Sequence, residues 1–283
     1  MAGSTIRRTR FAPSPTGLLH LGHAFAALTA AEQADQQGFL LRIEDIDRER
    51  CRPEYEAAIY EDLQWLGLSW PLPVLRQSDR MAAYDTALTQ LAPLTYPCRC
   101  RRGDIRAALS APQEGILPSG PDGLIYPGTC RDRAMDDIGA DDVIRLDAAR
   151  AFDALGIDQL QFRDEIVMPG QTQVLSRAQF LDSIGDVILS RRGMGTSYHL
   201  AVVIDDAAQD ISVVTRGQDL FDSTWIHVLL QKLLRLPTPL YHHHHLIRDT
   251  AGKRLAKRDD SRAIRYYREA GATPADIRRM VGL

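Results

Sequence analysis

Over its first hundred residues the chain alternates short apolar runs with longer amphipathic ones: TIRRTRFA, AFAALTAAEQADQQG, FLLRIED, PEYEAAIYEDLQWLG, PVLRQSD and RMAAYDTALTQLAPL. The alternation reads as strand, helix, strand, helix, strand, helix, which demands crossover connections and therefore an α/β fold with a parallel sheet. Gly38 and Gly67 stand where two of these helices should stop, as C-caps do. Between about Tyr96 and Asp147 the periodicity gives way to a Pro/Gly-rich and Arg-rich stretch, an insertion that needs something other than an apolar core to hold it. From Val143 onward short β-like runs return: DDVIRLD, DQLQFRDEIVM, GDVILSRR, YHLAVVIDD and ISVVTR. STWIHVLLQKLLRL predicts a helix that starts at a Ser/Thr cap and ends before Pro237.

Composition narrows the partners. A formal net charge of -3 gives no global basic field, so a nucleic acid would have to be met by a local patch. No window reaches the roughly 18 apolar residues of a membrane span, so the expectation is a cytoplasmic protein without a membrane partner. Three of the four cysteines gather in the insertion as Cys98-x-Cys100 and Tyr126-x-x-x-Cys130, a pattern that suits a metal in a reducing compartment better than a disulfide framework. Three thiolates and a phenol oxygen make four ligands, as a structural zinc prefers. Cys51 reads as a packed thiol.

The segment RFAPSPTGLLHLGH, from Arg10 to His23, follows a strand and opens onto a helix, where backbone N–H groups and the helix dipole favour phosphate. His20 and His23, three apart, share one face of the first turn and suit donation to phosphate oxygens, while Gly22 lets a nucleotide approach closely. Lys257, in the basic run GKRLAKRD with Lys253 and Arg254, is placed to bring an ammonium to the phosphates.

In this order RFAPSPTGLLHLGH resembles the HIGH signature of the class I aminoacyl-tRNA synthetases in its glutamate branch, RIEDIDRER its RIEDTDRER segment, YHLAVVIDD its YHLANVVDD segment, TRGQDL its VRAEDL segment and GKRLAKRD its KMSKS loop. The resemblance spans nearly the whole chain. It implies a Rossmann-type catalytic domain with a zinc-binding insertion, divided as residues 1–95 (first half of the nucleotide-binding catalytic domain), 96–147 (zinc-binding, acceptor-like insertion), 148–235 (second half) and 236–283 (KMSKS-type loop and C-terminal helical segment). It implies ATP as substrate, held by His20, Gly22, His23 and Lys257 with magnesium. It also implies a glutamate pocket in which Arg10 and Arg216 hold substrate carboxylate, Ala12 and Ser14 line the wall, Glu44 takes the α-ammonium and Tyr198 offers a hydroxyl. The guanidinium forks suit carboxylates, favouring glutamate over glutamine.

Two departures stand out. Val202 occupies a position where the full-length family has Asn, and Arg254 to Arg258 retain only one lysine of KMSKS, Lys257. The run His242 to His245 lies inside YHHHHLIRD on the approach to that loop, and a structural or ATP-adjacent role is open for one of its histidines. After Lys257 only residues 258–283 follow, where a full-length glutamyl-tRNA synthetase carries an anticodon-reading domain. That layout, with three cysteines and a tyrosine, is similar to the short glutamyl-queuosine synthetases, implying transfer of glutamate to queuosine in tRNA(Asp) by a monomer. Arg99, Arg101, Arg102, Arg106, Arg191 and Arg192 are candidate backbone contacts. The alternatives are a truncated synthetase charging tRNA(Glu) and a non-catalytic RNA-binding paralogue.

Overall fold

The computed structural model describes residues 6–109, 117–247 and 263–283. β1 (Thr9–Phe11), α1 (Leu21–Glu32), β2 (Phe39–Ile43), α2 (Pro53–Trp65), β3 (Leu75–Arg76) and α3 (Met81–Leu91) follow in the order that the alternation predicts. The insertion holds β4 (Thr95–Cys98), α4 (Arg102–Leu109), the two-residue strands β5 (Ser119–Gly120) and β6 (Gly123–Leu124), and β7 (Val143–Leu146). Then come α5 (Ala148–Leu155), β8 (Gln159–Arg163), β9 (Thr172–Ser176), α6 (Arg177–Ser183), β10 (Ile188–Ser190), α7 (Tyr198–Ala208), β11 (Val213–Gly217), α8 (Ser223–Leu233), β12 (Leu240–His244), α9 (Ile264–Glu269) and α10 (Pro274–Val281).

β1, β2 and β3 form a parallel sheet in that order, and β11 pairs in parallel with β12. The N–H groups of Ser212 and Val213 donate to Arg8 O, so β11 begins beside β1 and the strands line up as β3-β2-β1-β11-β12. β1 and β2 are buried almost throughout, which is why FLLRI is a continuous apolar run rather than an alternating one. The strand order reverses between β1 and β11, and in a Rossmann-type sheet the crevice at the carboxyl ends of the strands at that point receives ligands.

Two apolar cores flank this sheet. One packs Phe11, Leu28 and Ile43 against Ile59, Leu63, Ile264 and Ile277, and the other joins Phe152, Leu160, Phe180, Leu200 and Leu229. The insertion's own buried cluster is Tyr96, Cys98, Ile105, Tyr126 and Cys130, two of them cysteines, so apolar burial alone leaves it thinly held. It leans on the second half instead, because β7 pairs antiparallel with both β4 and the later β10.

The structure differs from three readings of the sequence. YHLAVVIDD is the helix α7, capped by the Ser197 side chain accepting from Leu200 N, because a short apolar run does not distinguish a buried strand from a buried helix. Gly38 is no C-cap: α1 ends at Gln33, and Gly38 precedes β2 where a Cβ would stand 2.4 Å from Arg7 O. Gly67, with φ 81°, does follow the C-cap Leu66 of α2. In α8 the N-cap is Asp222 without a side-chain hydrogen bond, and the helix begins at Ser223. Helices α5 and α6 were not read from the sequence.

Ile264, fully buried, fastens α9 to the loop that leads into α1 through its N–H to Leu19 O. Ile264→Ala is expected to cost about 2–5 kcal/mol in urea unfolding, from lost burial and the cavity left behind.

Candidate active site

The carboxyl ends of β1, β2 and β11 bring Arg10, Glu44 and Arg216 to the switch point. Arg10 is 4% exposed, and its Nε and Nη2 donate to the two oxygens of Asp206 at 2.9 and 3.3 Å while Nη1 donates to Thr215 O at 3.1 Å. The fully buried Arg42 shares Asp206 through Nη1 at 2.6 Å and reaches Glu44 Oε1 through Nη2 at 3.2 Å. Two guanidiniums and two carboxylates thus cancel in one buried network. Burial pushes the Asp206 carboxyl up, but Arg10 and Arg42 outweigh it and hold the group below the ordinary carboxylate range. For Glu44 burial wins, and its carboxyl lies above its usual value despite Arg42 and Arg10.

Arg216 is different. It is buried, yet Nε donates to His243 Nε2 at 3.1 Å, Nη1 meets His227 Nδ1 at 3.0 Å, and Nη2 donates to the Thr224 hydroxyl at 2.6 Å. Among the described residues no carboxylate is in ion-pair contact with it. Tyr198 lies close enough to Arg216, Glu44 and Arg10 for all three charges to act on its hydroxyl, and burial raises its pKa. Ser14, Glu44 and Tyr198 line a cleft of about 470 Å³ together with Gln77 and Arg191. Ala12, half-buried, lies between β1 and Pro13, whose carbonyl accepts from Glu44 N. Two larger hollows of about 790 and 870 Å³ flank Trp70 without a comparable set of charges.

At the phosphate end His20 is the N-cap of α1, its Nδ1 accepting from Gly22 N at 3.1 Å, while His23 Nδ1 accepts from His20 N at 3.1 Å. Both rings therefore carry their proton on Nε2 when neutral. They stack with centroids 3.8 Å apart. A Cβ on Gly22 would stand 3.0 Å from the His20 ring, so the glycine makes room for the capping imidazole as well as for any ligand. Lys257 lies outside the described residues. Beyond it, Ala263 forms a bridge with His20 and Ile264 N donates to Leu19 O.

In the insertion the ligand atoms of Cys98, Cys100 and Cys130 lie within 4.8 Å of one another. Cys100 Sγ is 3.6 Å from Cys130 Sγ and 3.6 Å from the Tyr126 hydroxyl, which accepts from Cys130 N at 2.8 Å. The Arg145 guanidinium sits 4.0 Å over the Tyr126 ring. This is a group able to take a metal ion.

The family profile described as tRNA synthetases class I (E and Q), catalytic domain, matches residues 7–283. The chain belongs to this synthetase family. It is 55% identical over 97% of its length to a glutamyl-Q tRNA(Asp) synthetase of Rhodobacter capsulatus, covering 99% of that relative. A protein of the same name from Nocardia farcinica is 40% identical over 95% of this chain and 81% of its own length. Among solved structures, a glutamate-tRNA synthetase from Elizabethkingia anophelis superposes with a TM-score of 0.67 at 27% identity over 91% of this chain. The chain spans about half, 53%, of that solved chain. The chain is thus a ligase-type tRNA synthetase, and its fold is the Rossmann-type class I catalytic domain.

Several residues that shape the switch-point site were missed in the sequence. Arg42 and Asp206 are the center of the network, Asp205 ties α7 to Gln77, Arg80 and Tyr84, and His227, backed by His199, meets Arg216. A signal existed for Arg42: a cation within the buried run FLLRI must be paired, and an adjacent acid pair closes the apolar run of α7. Val202, a departure from the resemblance, packs in the apolar core at 1% exposure. No membrane-spanning helix occurs among the described residues.

Asp206→Asn would leave Arg10 and Arg42 buried against a neutral amide, and a loss of about 3–5 kcal/mol is expected in urea unfolding. Because the folded pKa of Asp206 is depressed, its contribution is present above the unfolded value of about 3.9 and disappears as pH falls through the folded one. The gap between wild type and variant should therefore narrow in acid.

Proposed function

We propose that this synthetase activates L-glutamate with ATP and passes it to queuosine in tRNA(Asp). The observation that carries the amino-acid assignment is Arg216, a buried cation whose partners are two imidazoles and a hydroxyl and which therefore awaits an anion. A substrate carboxylate supplies that anion, whereas a glutamine amide would leave the charge uncompensated. Glu44, with Oε1 on Arg42 and facing the cleft, takes the ammonium, and Tyr198 and Ser14 close the wall. Arg10, already engaged by Asp206, orients more than it neutralises.

The glutamate carboxylate attacks the α-phosphate of ATP in line, pyrophosphate leaves, and a mixed anhydride remains. The Nε2–H groups of His20 and His23 donate to phosphate oxygens, and Lys257 balances further charge. Magnesium, when bound with ATP, neutralises phosphate charge. A hydroxyl of the queuosine cyclopentene ring then attacks the acyl carbon of the anhydride; the ester forms, the acyl–phosphate bond breaks, AMP leaves and the hydroxyl proton is given up to solvent. The names of the relatives from Rhodobacter capsulatus and Nocardia farcinica support this acceptor.

The insertion's metal is read as one structural zinc. Zn–S bonds of about 2.3 Å in a tetrahedron set sulfurs about 3.8 Å apart, and the Cys100–Cys130 distance of 3.6 Å fits it. Tyr126 is read as the fourth ligand, its hydroxyl 3.6 Å from Cys100 Sγ. The arrangement leaves no open position for a reactive water, so the ion serves the fold of the insertion.

Glutamate-dependent ATP–pyrophosphate exchange, followed by labelled-glutamate transfer to tRNA(Asp) with and without queuosine, tests the activity. Exchange with queuosine-dependent transfer is expected; transfer to tRNA(Glu) instead would assign the chain to acceptor-end charging, and no exchange with any amino acid would remove the catalytic reading. Elemental analysis should find about one zinc per chain, retained less tightly in Tyr126→Phe and lost in Cys98→Ser.

A further inference from the structure

Arginine can only donate hydrogen bonds, and that fixes the protons on everything around Arg216. His243 accepts from Arg216 Nε at Nε2, so its proton is on Nδ1, which donates to Asp164 Oδ2 at 2.5 Å. His227 accepts from Arg216 Nη1 at Nδ1, so its Nε2–H donates to His199 Nδ1 at 3.0 Å. His199 in turn keeps its proton on Nε2, 3.2 Å from Asp122 Oδ1. Burial, joined by the Arg216 charge, holds both His227 and His243 below the ordinary imidazole range and so keeps them neutral.

From this geometry we infer that two imidazole relays, Arg216–His243–Asp164 and Arg216–His227–His199–Asp122, are the specificity device of the amino-acid site: they orient the guanidinium without neutralising it. Each acid acts at one or two imidazoles' remove, so the cation is aimed but left without an anion in contact until a carboxylate arrives. The proposal rests on the glutamate reading above. Arg216 has five N–H groups, and the three contacts named leave one on each terminal nitrogen for a substrate carboxylate. The first relay is the stronger constraint: Asp164 and His243 side chains are fully buried, and Asp164 Oδ1 is itself held by the N–H groups of Ile166 and Val167 at 2.9 and 2.8 Å. Asp122, in the turn between β5 and β6, is a third exposed, so the second relay ends at the insertion's surface. His243, His227, His199, Asp164 and Asp122 are positioning residues in this scheme.

Asp164→Asn tests it with little change of shape. The amide oxygen keeps the two backbone N–H groups, so the amide nitrogen faces His243 Nδ1 and drives the imidazole proton to Nε2, against the Arg216 Nε–H. Pyrophosphate exchange should then show a rise in the glutamate KM of about tenfold or more with kcat within about threefold, and a smaller preference for glutamate over glutamine. A folded Asp164→Asn protein with the wild-type glutamate KM, or with a fall confined to kcat, overturns the relay. If Asp164→Asn does not fold, the His227 pair decides: His227→Asn retains an acceptor for Arg216 and should raise KM less than His227→Leu, and equal effects overturn the proposal. Wild-type enzyme that exchanges with another amino acid but not glutamate overturns the glutamate reading itself, a result separable from either variant's.

Discussion

Asp206 is the residue on which the site depends. Placed at the end of α7, it takes hydrogen bonds from Arg10 on β1 and Arg42 on β2, and through Arg42 it positions Glu44. Burying an unpaired guanidinium is costly, and α7 delivers an acid between these two. The same contact therefore docks a helix of the second half of the chain onto the first sheet and sets the charge balance of the pocket. Asp205, its neighbour, performs a parallel service for α3 through Tyr84, Gln77 and Arg80.

Around that neutral network Arg216 is the exception, a buried cation with no carboxylate in contact among the described residues. Its cage of imidazoles and a threonine hydroxyl satisfies part of its hydrogen bonding without cancelling its charge. Low-dielectric surroundings make such a charge attractive to an anion and costly to leave alone, which is a means of choosing a carboxylate over an isosteric amide. The phosphate end follows a different logic, in which His20 and His23 spend one nitrogen each on capping α1.

The insertion shows how little apolar surface can be made to suffice. Its five buried residues include two cysteines, and its sheet is completed by β10 from outside, so a borrowed strand, together with the metal proposed for its cysteines, takes the place of a core.

Much of this was legible in the residues. The strand and helix alternation led to the parallel sheet, and the spacing of Cys98, Cys100, Tyr126 and Cys130 to a ligand cluster that the fold does assemble. The helical state of YHLAVVIDD was not legible, since so short and largely apolar a run satisfies either period. Nor was the histidine run, because in β12 successive side chains face opposite ways: His243 meets Arg216 and Asp164 while His244 packs on Phe25 of α1. By itself the sequence determined which charges the site would contain, because arginine, glutamate and histidine carry their chemistry wherever they are placed. Only the tertiary structure decided which of those charges are cancelled and which is left open, because Asp206 and Arg10 are 196 positions apart and pairing between such distant residues is set by how the helices dock on the sheet.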